Sequence, residues 1–138
     1  MSNVSHEAIT PRFGVNIFVS PDHLLAGDVP EQCLALLEQY GVAVFPGIGA
    51  SDELQVAFSR RLGPVEGSKF GSDPEDKVDQ LGIYPVTLDP TKAKHLDYII
   101  SNEYWHMDGT TYQIPPKATN LKCIVPPGTG GDTEFCNL

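Results

Sequence analysis

Two glycine stops constrain this chain more than any other feature. Gly41 follows one helical repeat, Leu34, Leu36, Leu37 and Tyr40, and Gly63-Pro64 follows a second, Leu54, Ala57, Phe58 and Leu62. Apolar residues at this spacing make one face of a helix. Glycine caps such a helix readily in left-handed backbone, and proline cannot continue it. The entries are marked too. Asp28 precedes Val29-Pro30, and Ser51 precedes Asp52-Glu53, which reads as an N-cap with acids in the first turn. Arg60 and Arg61 lie near the second helix end, where cations suit the dipole. Between the helices, Val42-Ala-Val-Phe45 closed by Pro46-Gly47 reads as a short buried strand.

The other segments are short and heavily punctuated. Val15, Ile17 and Val19 alternate as an early strand. Residues 65–77 are polar and glycine-rich, a loop that is either a flap over a site or a solvated connection. Residues 81–88 read as a strand with Pro85 favouring an edge, and residues 98–101 as another. Ile114-Pro115-Pro116 is a rigid turn, and Asn120–Val125 is a strand ended by Pro126-Pro127-Gly128. A tight turn, Thr129–Thr133, leads into Glu134-Phe-Cys136. Helices followed by short strands with Pro/Gly turns indicate an α+β or mainly β domain.

At 138 residues the chain is one domain or part of one, and its 41% hydrophobic and 20% charged content is that of a soluble globular protein. A net charge of −9 argues against nucleic acid and anionic membrane as partners. Cys33, Cys123 and Cys136 are odd in number and lack C-x-x-C spacing, so they read as small buried or half-buried thiols of a reducing compartment. The first residues show no signal-peptide pattern, and no apolar run approaches the roughly 20 residues that span a bilayer. The expected location is the cytoplasm.

The chemistry concentrates in Asn102-Glu-Tyr-Trp-His-Met-Asp108. On a strand, His106 and Asp108 project from one face. With a further His from elsewhere, they make the facial triad of non-haem Fe(II) oxygenases. The bare pattern is cheap, because His95-Leu-Asp97 repeats it. That first pair follows the polar run Thr91–Lys94 and reads as loop surface. The second has Tyr98-Ile99-Ile100 before it and Trp105 beside it, read as core packing that holds a ligand pair rigidly. From residues alone, this is a mixed N/O metal site.

Asn102-x-x-Trp105-His106-x-Asp108, then Pro115-Pro116, then Pro126-Pro127-x-x-Gly130-Gly131-Asp132-Thr133 resembles the TauD/TfdA family of Fe(II)- and 2-oxoglutarate-dependent oxygenases. Tyr40–Phe45 and Phe58–Gly63 also look like that family's helix–strand–helix opening, so the resemblance runs over most of residues 28–138. It implies N-terminal helices packed on part of a double-stranded β-helix (jelly roll), in one domain over residues 1–138 whose C-terminal half is missing. By the resemblance, His106 and Asp108 match two iron ligands, and Thr133 matches the threonine whose hydroxyl contacts the 2-oxoglutarate carboxylate. Asn102 matches an asparagine near substrate and co-substrate, although an Asx-type turn cap explains it equally well. Gly130 and Gly131 read as suppliers of unusual turn angles. Residues 68–71 do not align with the taurine-binding residues, so taurine is not implied.

The implied activity is hydroxylation or oxidative cleavage of a small organic substrate, using Fe(II), 2-oxoglutarate and O2 and releasing succinate and CO2. A homo-oligomer of the full-length enzyme is compatible with it. The chain departs from the pattern in one respect: no His follows His106 and no Arg follows Arg61, whereas the family places a third ligand and a co-substrate-binding Arg downstream. The expectation is therefore an N-terminal part of a longer enzyme. Two other readings remain. One is a catalytically inactive remnant or partner-dependent binding module; the other is a cupin-like metal enzyme that does not use 2-oxoglutarate.

Overall fold

Val15 and Ile17 are fully buried while Phe18 is exposed, and this alternation makes β2 (Val15–Phe18) the centre of a small sheet. The structure, a computed structural model, describes residues 4–65, 83, 86, 87, 89, 104–110 and 112–137. Two units divide the chain: Met1–Val65 with Lys122–Leu138, and Glu66–Leu121.

In the first unit, β1 (Ser5–Ala8) pairs antiparallel with β2, with Ser5 opposite Phe18 and Ala8 opposite Val15. The connecting turn is closed by Thr10, whose hydroxyl donates to the Phe13 carbonyl at 2.6 Å and accepts from the Phe13 N–H at 2.9 Å. After a 3-10 turn at Pro21–His23 comes α1 (Val29–Tyr40), then β3 (Ala43–Val44), which pairs parallel with β2. The sheet order is β1-β2-β3. A parallel return requires a crossover, and α1 supplies it. Gly41 caps α1 with φ of 74°, its N–H donating to the Leu37 carbonyl at 2.8 Å. The next residues join β2 directly, since the Val15 N–H donates to the Val42 carbonyl at 2.9 Å.

The second helix, α2 (Asp52–Leu62), begins as expected: the Ser51 hydroxyl accepts from the Leu54 N–H at 3.2 Å. Asp28 precedes α1 without a side-chain capping bond, so Val29-Pro30 and not the aspartate oxygen sets that entry. The core cluster comprises Val4, Val15, Ile17, Leu24, Cys33 and Phe58, with Val29, Leu36, Tyr40, Phe45, Leu54 and Leu62 packed against it. The inward stripe of α1 thus runs Val29, Cys33, Leu36, Tyr40. Leu34 and Leu37 are half-buried and stand outside that cluster. Phe45 and Phe58 meet edge to face at 5.6 Å between ring centres.

Three expectations change. Val42–Phe45 is not a buried strand, because β3 is a two-residue edge strand and Val44 is 38% exposed. Asn120–Val125 forms no strand: its residues are irregular and, apart from Lys122, exposed. A strand needs a neighbour to pair its backbone groups, and this segment has no ladder partner among the described residues. Cys123 and Cys136 are exposed, so only Cys33 is the buried thiol that composition suggested, and all three are free. The strands expected at 98–101 and over most of 81–88 lie outside the described residues. These residues show an α+β architecture of two helices and one three-stranded sheet. No helix among them is long and apolar enough to cross a membrane.

Candidate metal site at His106 and Asp108

Residues 104–110 hold no regular strand; a bend at Tyr104 leads through an irregular stretch into a turn at 108–110. The Tyr112 N–H then donates to the Gly109 carbonyl at 3.0 Å, a bond that spans residues 109–112. His106 and Asp108 are therefore brought together by a bend and a turn, not by a pleat. His106 Nε2 lies 3.5 Å from Asp108 Oδ1, and both side chains are 46% exposed.

The hydrogen bond on the far side of the ring decides what this pair can do. His106 Nδ1 lies 2.7 Å from the Tyr104 carbonyl oxygen. A carbonyl can only accept, so Nδ1 carries a proton and donates. In the neutral ring that leaves the Nε2 lone pair facing the carboxylate. Two electron-pair donors held this close suit a shared cation. Metal bonds of about 2.0–2.2 Å to nitrogen and oxygen put ligand atoms about 2.8–3.1 Å apart at a right angle and about 3.3–3.6 Å apart at a tetrahedral angle. The observed separation falls within the second span, and the ring's other N–H is anchored as ligating imidazoles usually are. A mixed N/O pair suits non-haem iron among other divalent ions. No third His, Cys, Asp or Glu joins the pair among the described residues.

Trp105 is 67% exposed, so it is not the core packing expected of it, and Tyr104 and Met107 are exposed beside it. Thr133 is exposed and belongs to the unit that contains Lys122–Leu138, whereas His106 and Asp108 belong to Glu66–Leu121. The turn before Thr133 has Gly130 and Gly131 at φ of 68° and 72°, the backbone expected of them. Asn102 lies outside the described residues, as do His95 and Asp97. Sequence reasoning missed two supports: the Tyr104 carbonyl, which is backbone and leaves no residue signature, and the contact of Gly109 with Pro116. Only the Gly after Asp108 and the later Pro-Pro pair hinted at the second.

The chain matches the family model described as taurine catabolism dioxygenase TauD, TfdA family over residues 5–138. It is 34% identical over 111 residues to an alpha-ketoglutarate-dependent 2,4-dichlorophenoxyacetate dioxygenase of Cupriavidus pinatubonensis, covering 75% of this chain and 39% of the relative. A protein of the same name from a Burkholderia species is 33% identical over 110 residues, covering 74% and 37%. A (S)-phenoxypropionate/alpha-ketoglutarate-dioxygenase of Delftia acidovorans is 27% identical over 108 residues, covering 72% and 35%. The chain thus spans under two fifths of the length of these relatives. No solved structure gives a significant match.

Proposed function

This chain belongs to the taurine catabolism dioxygenase TauD, TfdA family, and we propose that it is the N-terminal part of an Fe(II)- and 2-oxoglutarate-dependent dioxygenase acting on a small organic acid. The observation that carries the reading is the 3.5 Å approach of His106 Nε2 to Asp108 Oδ1, with Nδ1 engaged by the Tyr104 carbonyl. His106 and Asp108 would hold Fe(II). When bound, the metal supplies the redox chemistry that couples decarboxylation of 2-oxoglutarate to oxidation of the substrate. Thr133 would donate its hydroxyl to a carboxylate of 2-oxoglutarate, and Asn102 would stand near substrate and co-substrate.

The relatives named for phenoxyacetate and phenoxypropionate make aryloxyalkanoic acids the first substrate class to test. Exposed Tyr104, Trp105 and Met107 flank the ligand pair in sequence and suit an aromatic substrate body. The rest of the jelly roll, a third ligand and a co-substrate-binding Arg would come from a segment beyond residue 138. Exposed Leu121, Ile124, Val125 and Phe135 support this, because apolar residues in such numbers ordinarily pack on something.

The test is succinate release that depends on both Fe(II) and substrate. It is measured on the polypeptide extended through its downstream reading frame, with phenoxyacetic acids, 2-phenoxypropionic acids and taurine as candidates. Release above the substrate-free rate with an aryloxyalkanoate is expected. Failure across the panel, with iron bound, would count against the dioxygenase reading.

A further inference from the structure

The turn that carries Asp108 is held by a contact that leaves no room for a side chain. Gly109 has φ of +68°, a region other residues seldom occupy. A Cβ built at Gly109 would lie 2.3 Å from Pro116 Cδ and 2.8 Å from Pro116 Cγ, well inside van der Waals contact. The third neighbour is the Tyr112 ring, at 3.4 Å from the same position. The proline ring, stiffened by Pro115 before it, therefore lies directly on the Gly109 backbone.

We propose that the Gly109–Pro116 contact is the positioning device of the candidate metal site, fixing Asp108 so that its carboxylate faces His106 Nε2. The inference rests on the metal-site reading above. The two ligands have separate supports. His106 is oriented from behind by the Tyr104 carbonyl, and among the described residues Asp108 pairs with His106 alone. The direction of its carboxylate follows from the backbone of the 108–110 turn, whose Gly109 is covered by Pro116 and accepts the Tyr112 N–H at 3.0 Å. Adding one methyl group at position 109 forces either the turn or the proline away, and Asp108 moves with the turn. Gly109 and Pro116 act through Asp108 and need touch neither metal nor substrate.

The test uses the 138-residue chain with Co(II) as probe, read by paramagnetic broadening of the His106 ring signals, which H106Q identifies among the four histidines. Wild type should broaden at His106. In G109A the Co(II) concentration for half-broadening should rise by about tenfold or more, the usual consequence of disturbing a ligand's support. The Phe45 and Phe58 ring signals should stay in place, showing that the first unit is intact. The double variant G109A/P116A removes the ring atoms that the new methyl group meets, and it should recover part of the lost affinity. Simple destabilisation would instead make the two changes add. If wild type shows no response at His106, the metal-site reading falls and this inference falls with it. If wild type responds and G109A responds equally, or if P116A brings no recovery, the positioning role is overturned while the metal site stands.

Discussion

Lys122 donates through its ammonium to Asp52 Oδ1 across 70 residues of sequence, and it lies 3.4 Å from the Ala50 carbonyl oxygen. The contact ties the start of the C-terminal segment to the first turn of α2. Asp52 already favours that helix end through the dipole, so one carboxylate serves both the helix and the tether. The Asp52 side chain is 45% exposed, which puts the pair near the modest range of surface ion pairs, about 0.2–1 kcal/mol. Lys122→Met keeps the aliphatic stem and removes the charge. It should lower stability by no more than about 1 kcal/mol in urea unfolding and speed proteolysis of residues 122–137. The stability difference should shrink in 1 M salt, and a difference unchanged by salt would assign the effect to packing.

A second tether joins the helices. Arg61 Nη2 lies 2.7 Å from Glu31 Oε1 and donates to the Gly27 carbonyl at 3.2 Å, with Nη1 3.5 Å from the Leu25 carbonyl oxygen. The hydrogen bond from Arg61 holds the Glu31 carboxyl below its ordinary value. A carboxylate with a lowered folded pKa contributes stability above its unfolded pKa and loses it as pH falls through the folded one. Wild type should therefore exceed E31Q in stability at pH 6, and the two should converge as the solution is acidified below pH 4. Parallel acid-unfolding curves with a constant gap would show that the ion pair is not the source. The effect should be small, because both groups face solvent.

The three thiols should separate cleanly by reactivity. Burial pushes the Cys33 thiol up to about 11, and its side chain belongs to the core. Cys123 and Cys136 are exposed. At pH 8 a disulfide reagent should modify two thiols rapidly and the third only after unfolding. Since Cys33 is harder to ionise when folded, its contribution to stability is complete below pH 9. It is lost as pH rises through about 11, so C33A should lose less stability at pH 11 than wild type does. Three fast thiols at pH 8 would contradict the core placement.

The helices were legible because their signals are local. Ser51, Gly41 and Gly63 signal helix ends through their own backbone and hydroxyl, and the structure places helix ends at those residues. Which face of α1 turns inward was less legible. Leu34 and Cys33 are adjacent, apolar and within one helical step, so tertiary contact decides between them, and it chose the smaller residue. Asn120–Val125 shows the opposite failure. Alternation expresses a preference for a pleated, half-buried surface, but only a paired neighbour makes it a strand. At the site, the pairing of His106 with Asp108 was legible and its cause was not. Two-residue spacing suggested a pleat, whereas the pair meets through a turn whose glycine contacts a proline seven residues away.

The nitrogen that faces Asp108 yields the sharpest prediction for the ligand pair. With Nδ1 donating to the Tyr104 carbonyl, the metal-facing atom is Nε2, at the far end of the ring. Glutamine carries its amide out to about the reach of Nε2, while asparagine stops near the reach of Nδ1. His106→Gln should therefore keep a measurable fraction of Co(II) affinity, and His106→Asn should lose it. Both should fall well below wild type, because an amide is a poorer ligand than imidazole. Asp108→Asn keeps the shape and removes the charge, and it should weaken Co(II) at least tenfold without shifting the urea midpoint, since the side chain is half exposed. Calorimetric titration of the three variants measures this directly. Equal loss in the Gln and Asn variants would remove the case for Nε2, and retention by Asn alone would assign the metal to Nδ1 instead.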